Sequence, residues 1–152
     1  MKIQTHFKEL LTLLEKNKAE YMIVGGYAMA YHGFPRFTKD IDIFYKNSKE
    51  NIQKVRTSLI SFGFNENELK EELFSETGNI IQFGVVPLRV DIINEIDGVK
   101  FDEAAVNCVR GSYGDLKVNF IGKTELLKNK KASGRDQDLI DAKNLERHKD
   151  KE

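Results

Sequence analysis

Tryptophan is absent from this 152-residue chain, cysteine occurs once and proline twice. A single cysteine, Cys108, excludes an internal disulfide and any multi-cysteine metal site, and it suits a reducing compartment. Long apolar runs are missing too: residues 21–24 and 80–87 are the longest, far short of the ~20 residues a membrane span needs, so no membrane association is expected. The opening segment MKIQTHFKELL has charges among its apolar positions and no small-residue cleavage site, so it does not read as a secretory signal and a cytoplasmic location is expected. Neither sign of charge is in excess, with 24 Lys or Arg against 24 Asp or Glu. There is no global basic field to attract nucleic acid, and an RNA partner would need a local patch. Repeats and low-complexity tracts are also absent, which excludes fibrous and repeat architectures.

What is present is the composition of an ordinary globular chain, 40% hydrophobic and 32% charged, of a length that predicts one domain over 1–152 with a charged tail from about 148. Phe7, Leu10, Leu11, Leu13 and Leu14 recur at helical spacing and predict an amphipathic helix over 5–17. A short apolar run, 21–24, meets Gly25 and Gly26 and then a small-residue helical stretch at 27–31: strand, glycine turn, helix. Residues 41–45 read as a strand with one wet face, because Asp40 and Asp42 alternate with Ile41 and Ile43. Asn47 or Ser48 can cap a helix to about 61, and the acidic stretch 66–76 reads as a solvated helix face or loop. Further strands are expected at 79–86, 88–94 and 117–121, with Asp97-Gly98 as a hairpin turn, a short helix at 102–109, a loop at 111–114, and helices at 123–131 and 135–148. The fold class is therefore α/β (α+β), a mixed sheet flanked by helices.

Chemistry concentrates between Val24 and Tyr45. A Gly-Gly turn after a strand lets backbone amides approach a phosphate, since no side chain stands in the way. After thirteen intervening residues, Asp40-Ile41-Asp42 puts two carboxylates on one strand face. Such neighbours repel unless a cation lies between them, and hard oxygen ligands suit Mg²⁺ with its substrate phosphates. Asp91, flanked by apolar residues in Arg-Val-Asp-Ile-Ile, is costly as an ion unless it is paired or metal-bound. Three carboxylates from two strands beside a glycine turn make a two-metal phosphoryl-transfer site geometrically feasible.

Gly25-Gly26, Asp40-Ile-Asp42 and the later Asp91 together resemble the polymerase-beta-type nucleotidyltransferase superfamily. Gly-Gly-Tyr-Ala-Met-Ala, His32-Gly33, Arg36-x-Thr38-x-Asp40-Ile-Asp42, Lys130 and Gly134-Arg135-x-x-Asp138-x-x-Asp141 resemble its small bacterial branch of AbiEii/MenT-type toxins. The resemblance spans about residues 20–147. It implies a nucleotidyltransferase fold with C-terminal helices, and transfer of a nucleoside monophosphate from a nucleoside triphosphate to a hydroxyl acceptor, RNA/tRNA or protein, in a toxin–antitoxin pair with a cognate antitoxin. Gly25, Gly26, Arg36 and Lys130 would bind the nucleotide. Asp40, Asp42 and Asp91 would be catalytic and would ligate two Mg²⁺ ions, or Mn²⁺ in their place, and Asp138 or Asp141 would orient the lysine. A small aminoglycoside-like acceptor, or a catalytically silent nucleotide-binding module, fits the same residues.

Plainer readings stand beside these. Asp40 and Asp42 can be a solvent-facing strand edge, and Asp91 can pair with Arg89 or Arg110. Lys128, Lys130 and Lys131 can be a solvated helix face, and the sequence does not say which of them would contact phosphate. Residues 117–152 hold ten Lys or Arg against seven Asp or Glu, a weak argument for RNA. His32 reads as a packing residue, Thr38 as a local cap, Cys108 as buried, and Tyr27, Tyr31, Phe34 and Phe37 as core rather than base-stacking groups.

Overall fold

The computed structural model describes residues 3–35, 40–85 and 88–147. Helix α1 (Thr5–Lys16) buries Phe7, Leu10, Leu11 and Leu14, the apolar stripe of the 5–17 pattern. Strand β1 (Tyr21–Val24) is followed without a loop by α2 (Gly25–Tyr31), so the helix begins at the glycines, two residues earlier than the pattern suggests. Strand β2 (Asp40–Tyr45) leads to α3 (Lys49–Phe62), whose cap is Ser48, accepting from the Asn51 N–H at 3.2 Å. The acidic stretch forms a 3-10 turn (Glu66–Glu68) and α4 (Glu71–Ser75), mostly exposed but pinned by buried Leu69 and Phe74. Then come β3 (Ile80–Val85), β4 (Leu88–Ile93), α5 (Phe101–Val106), β5 (Val109–Tyr113), β6 (Leu116–Phe120), α6 (Lys123–Ser133) and α7 (Asp136–Arg147). Asp97-Gly98 makes the expected turn, closed by a bridge between Ile96 and Val99.

The six strands form one mixed sheet in the order β3-β4-β2-β1-β6-β5. Pairs β1–β6 and β2–β4 are parallel, and β1–β2, β3–β4 and β5–β6 antiparallel. Strand alternation splits the core in two. Tyr21, Ile23, Ile41, Ile43 and Ile92 pack beneath α1 and α3. Met22, Val24, Phe44 and Ile93 face the opposite way, toward Ala28 and Met29 of α2, Ala104 of α5, Leu126 of α6 and Leu145 of α7. Asp40 and Asp42 share the parity of Phe44 and therefore lie on this second face.

Three expectations are corrected here. Residues 111–114 are not a loop: 111–113 complete β5, and the turn falls at Gly114. The helix expected at 102–109 ends at Val106, so Val109 opens that strand. Gly111 misleads because glycine suggests a turn, whereas here it makes room for an aromatic ring. A Cβ at Gly111 would stand 2.3 Å from Tyr31, whose ring stacks on Phe120 with centroids 4.1 Å apart. Cys108 is half-buried rather than fully buried, and burial raises its thiol pKa.

Candidate active site

Where β1 ends, Val24 stands opposite Asp42; Asp42 pairs with Asp91 across the parallel β2–β4 ladder, and Asp91 with Gln82 across β3–β4. One row therefore crosses four strands as Val24, Asp42, Asp91, Gln82. Two residues along β2, Asp40 lies opposite Arg89. Arg89 donates from Nε at 3.3 Å and Nη2 at 3.1 Å to the two Asp40 oxygens, so the arginine neutralises Asp40 and leaves Asp91 to other partners. Arg110 is engaged elsewhere, donating to Glu15 at 2.9 Å. Neither arginine takes the pairing with Asp91 that the sequence allowed.

Gly25 packs directly on Asp42. It has φ +68°, in the left-handed region, and a Cβ there would come within 2.2 Å of Asp42 Oδ2. Only glycine satisfies both demands. Above this floor α6, α7 and the two-residue link between them supply Lys130, Ser133, Arg135, Gln137 and Asp138, closing a cleft of about 650 Å³ that also takes in Gly25, Gly26, Asp40 and Asp42. Ile80, Ile93, Glu95, Ile96 and Asp97 also line it.

Lys130 is 5% exposed, and its Nζ bridges Asp138 at 3.2 Å and Asp141 at 3.0 Å. Asp138 also accepts from Ser133 Oγ at 2.6 Å and Arg135 Nε at 2.7 Å, and Asp141 from Gln137 Nε2 at 2.9 Å. Burial alone would raise the Asp138 pKa, but the hydrogen bonds from Ser133, Arg135 and Lys130 prevail and hold it below the usual value. Lys128 and Lys131 take no part: half-exposed, they pair with Glu103 and Glu146. Helical geometry separates them, since Lys128 and Lys131 are three apart on one face while Lys130 follows buried Leu126 by four.

Asp42 carries the clearest electrostatic signature. Burial raises its pKa most, the adjacent Asp91 and then Asp40 raise it further, and Lys130 only partly offsets them, leaving it at about 7. Two carboxylates in contact, one of them largely out of water, form the hard-oxygen pair that a divalent cation would relieve. Among the described residues no three His, Cys, Asp or Glu side chains gather as a ready metal cage, so the fit to a cation rests on Asp42 and Asp91, with Asp40 turned to Arg89.

Gly25, Gly26, Asp40, Asp42, Asp91 and Lys130 thus come together in and around one cleft. Arg36, Thr38 and Phe37 lie outside the described residues. His32 hydrogen-bonds the Ile121 carbonyl at 2.8 Å, Tyr27 packs edge-on to Phe7 and Tyr113, and Phe34 joins the second core. Gln82, Ser133 and Gln137 were not singled out from the sequence. Gln82 alternates in phase with Ile80, a signal visible only once β3 is known to pair with β4.

The family model of the nucleotidyl transferase AbiEii toxin, from type IV toxin–antitoxin systems, matches residues 12–133. The chain belongs to the AbiEii nucleotidyltransferase family. It is accordingly an enzyme that transfers nucleotidyl groups. The matched span holds both glycines, all three carboxylates and Lys130, while α7, with Asp138 and Asp141, lies beyond it. Solved structures share this AbiEii chain's fold. A Thermotoga maritima protein assigned as a nucleotidyltransferase (TM1012) superposes with a TM-score of 0.58 at 14% identity, covering 99% of this chain and 97% of its own. The lincosamide antibiotic adenylyltransferase LnuA, with lincomycin bound, gives 0.55 at 19% identity, covering 96% and 98%. The antibiotic-resistance factor ANT(2'')-Ia gives 0.56 at 13%, covering 93% and 80%. No curated protein matches in sequence. Among the described residues no helix is long and apolar enough to cross a membrane.

Proposed function

We propose that this chain transfers a nucleoside monophosphate from a nucleoside triphosphate to a hydroxyl acceptor, as the toxin of a toxin–antitoxin pair acting in the cytoplasm on RNA, tRNA or protein. The observation that carries this reading is the Asp42–Asp91 pair with Gly25 pressed against it and Lys130 across the same cleft. Asp42 and Asp91, joined by Asp40 when Arg89 releases it, would hold Mg²⁺, with Mn²⁺ as a substitute. The ion supplies charge neutralisation on the transferring phosphoryl group.

The protein's own residues do the rest. The backbone of Gly25 and Gly26 lets phosphate oxygens approach the sheet end closely, and Arg36 adds positive charge from the segment before β2. Lys130, held by Asp138 and Asp141, faces the triphosphate and steadies the departing pyrophosphate. Asp91 accepts the proton of the acceptor hydroxyl as its oxygen bonds to the α-phosphorus and the bond to the bridging α–β oxygen breaks. Positioning and electrostatics account for most of the rate in such a reaction.

A second reading, a small hydroxylated acceptor, is favoured by part of the cleft lining. Ile80, Ile93 and Ile96 are apolar and Glu95 and Asp97 acidic, a lining that repels a phosphate backbone and accommodates a cationic small molecule. The fold neighbours LnuA and ANT(2'')-Ia, named for antibiotic modification and resistance, accord with it.

The test incubates the protein with Mg²⁺ and each of the four labelled nucleoside triphosphates, adding total RNA or whole-cell extract. Label should enter RNA or protein with wild type and not with Asp42→Ala. Label only in small molecules selects the second reading. Equal labelling by Asp42→Ala would sink both, and nucleotide binding without transfer would leave a silent module.

A further inference from the structure

We infer that Gln82 is a positioning residue for Asp91, an edge-strand amide that holds its carboxylate in place beside Asp42 and thereby sets the site's affinity for a divalent cation. The inference rests on the reading of Asp42 and Asp91 as the cation's ligands.

Strand β3 is one edge strand of the sheet, and on it Gln82 stands directly opposite Asp91. Its Nε2 donates to Asp91 Oδ1 at 2.8 Å. The side chain is exposed and belongs to neither apolar core, so packing does not account for it. Asp91 needs a tether, because its neighbour along the row is another carboxylate and repulsion would turn it outward into water. An amide N–H captures one oxygen and holds the carboxylate beside Asp42, with which it is in side-chain contact.

Asp40 supplies the contrast within the same sheet. It too is held by the residue opposite, but Arg89 is a cation and cancels its charge. Glutamine is a neutral donor that restrains a carboxylate and keeps the negative charge a divalent ion requires. The two cross-strand partners therefore treat their carboxylates differently: Asp40 is neutralised, and Asp91 is aimed.

The experiment measures Mn²⁺ binding to the full chain by electron paramagnetic resonance, with thermal unfolding alongside, for wild type, Gln82→Met and Asp42→Ala. Methionine keeps the length and deletes the donor. Gln82→Met should bind Mn²⁺ roughly ten- to a hundredfold more weakly at an unchanged Tm, the range seen when groups supporting metal ligands are removed. Excess Mn²⁺ should restore nucleotide transfer to Gln82→Met but not to Asp42→Ala, a rescue that a purely structural role would not show. Wild-type affinity in Gln82→Met, or a loss that tracks a fall in Tm, overturns the role of Gln82 while the site stands. Wild-type protein that takes up no Mn²⁺ overturns the cation site, and this role with it.

Discussion

At the scale of single residues the site is a place where stability has been given up. Asp42 must stay near Asp91 and under Gly25, and its pKa rises to about 7 because burial and two neighbouring carboxylates oppose its charge. A carboxyl group that titrates near 3.8 when unfolded and near 7 when folded binds its proton more tightly in the native state. Its contribution to stability is therefore most favourable below pH 3.8, falls as pH rises to about 7, and stays low above that. Asparagine has no charge to lose. Without added metal, Asp42→Asn should match wild type near pH 4 and exceed it at pH 8 by on the order of 2–4 kcal/mol. Urea midpoints at the two pH values check this, and a variant no more stable than wild type at pH 8 would show that Asp42 carries no electrostatic strain.

At the scale of elements, α6 and α7 meet around a buried lysine, not only around apolar contacts. Lys130 lies between Asp138 and Asp141, so removing it strands two carboxylates with only Ser133, Arg135 and Gln137 among the donors described above. Lys130→Met should cost about 3–5 kcal/mol, the usual penalty for breaking a buried ion pair. Pairing it with Asp141→Asn should recover much of that stability without recovering nucleotide transfer. Denaturant unfolding and the labelling assay on both variants separate the two roles, and transfer by the double variant would remove Lys130 from the site. The same elements show what a sequence reveals. Strands and amphipathic helices were legible because alternation and 3.6-residue spacing are local, and Asp40-Ile-Asp-Ile announces a strand with one wet face. Gly111 was misread because its reason for being glycine, the Tyr31 ring, lies 80 positions away. Which lysine enters the cleft was half legible. Helical geometry sets Lys130 apart from Lys128 and Lys131, but only the packing of α7 shows that a buried lysine finds counter-charges.

At the scale of the whole molecule, the row Val24, Asp42, Asp91, Gln82 exists because β4 inserts beside β2 in parallel, between β2 and β3. No local pattern specifies that order, so the sequence identified Asp42 and Asp91 separately while their contact, and the diversion of Asp40 to Arg89, waited on the topology. A cation bridging β2 and β4 should then act as a staple across the centre of the sheet and report on the fold as a whole. Mg²⁺ with nucleoside triphosphate at about a hundred times its dissociation constant adds about 2.7 kcal/mol, which for a domain of this size is roughly 5–11 °C in Tm. Below pH 7 the proton on Asp42 competes with the ion, so the rise should be larger at pH 8 than at pH 6. Differential scanning fluorimetry of wild type, Asp42→Ala and Asp91→Ala at both pH values measures it. Asp91→Ala should lose the rise as fully as Asp42→Ala, because the staple needs a ligand on each strand; a rise retained in Asp91→Ala would confine the cation to β2.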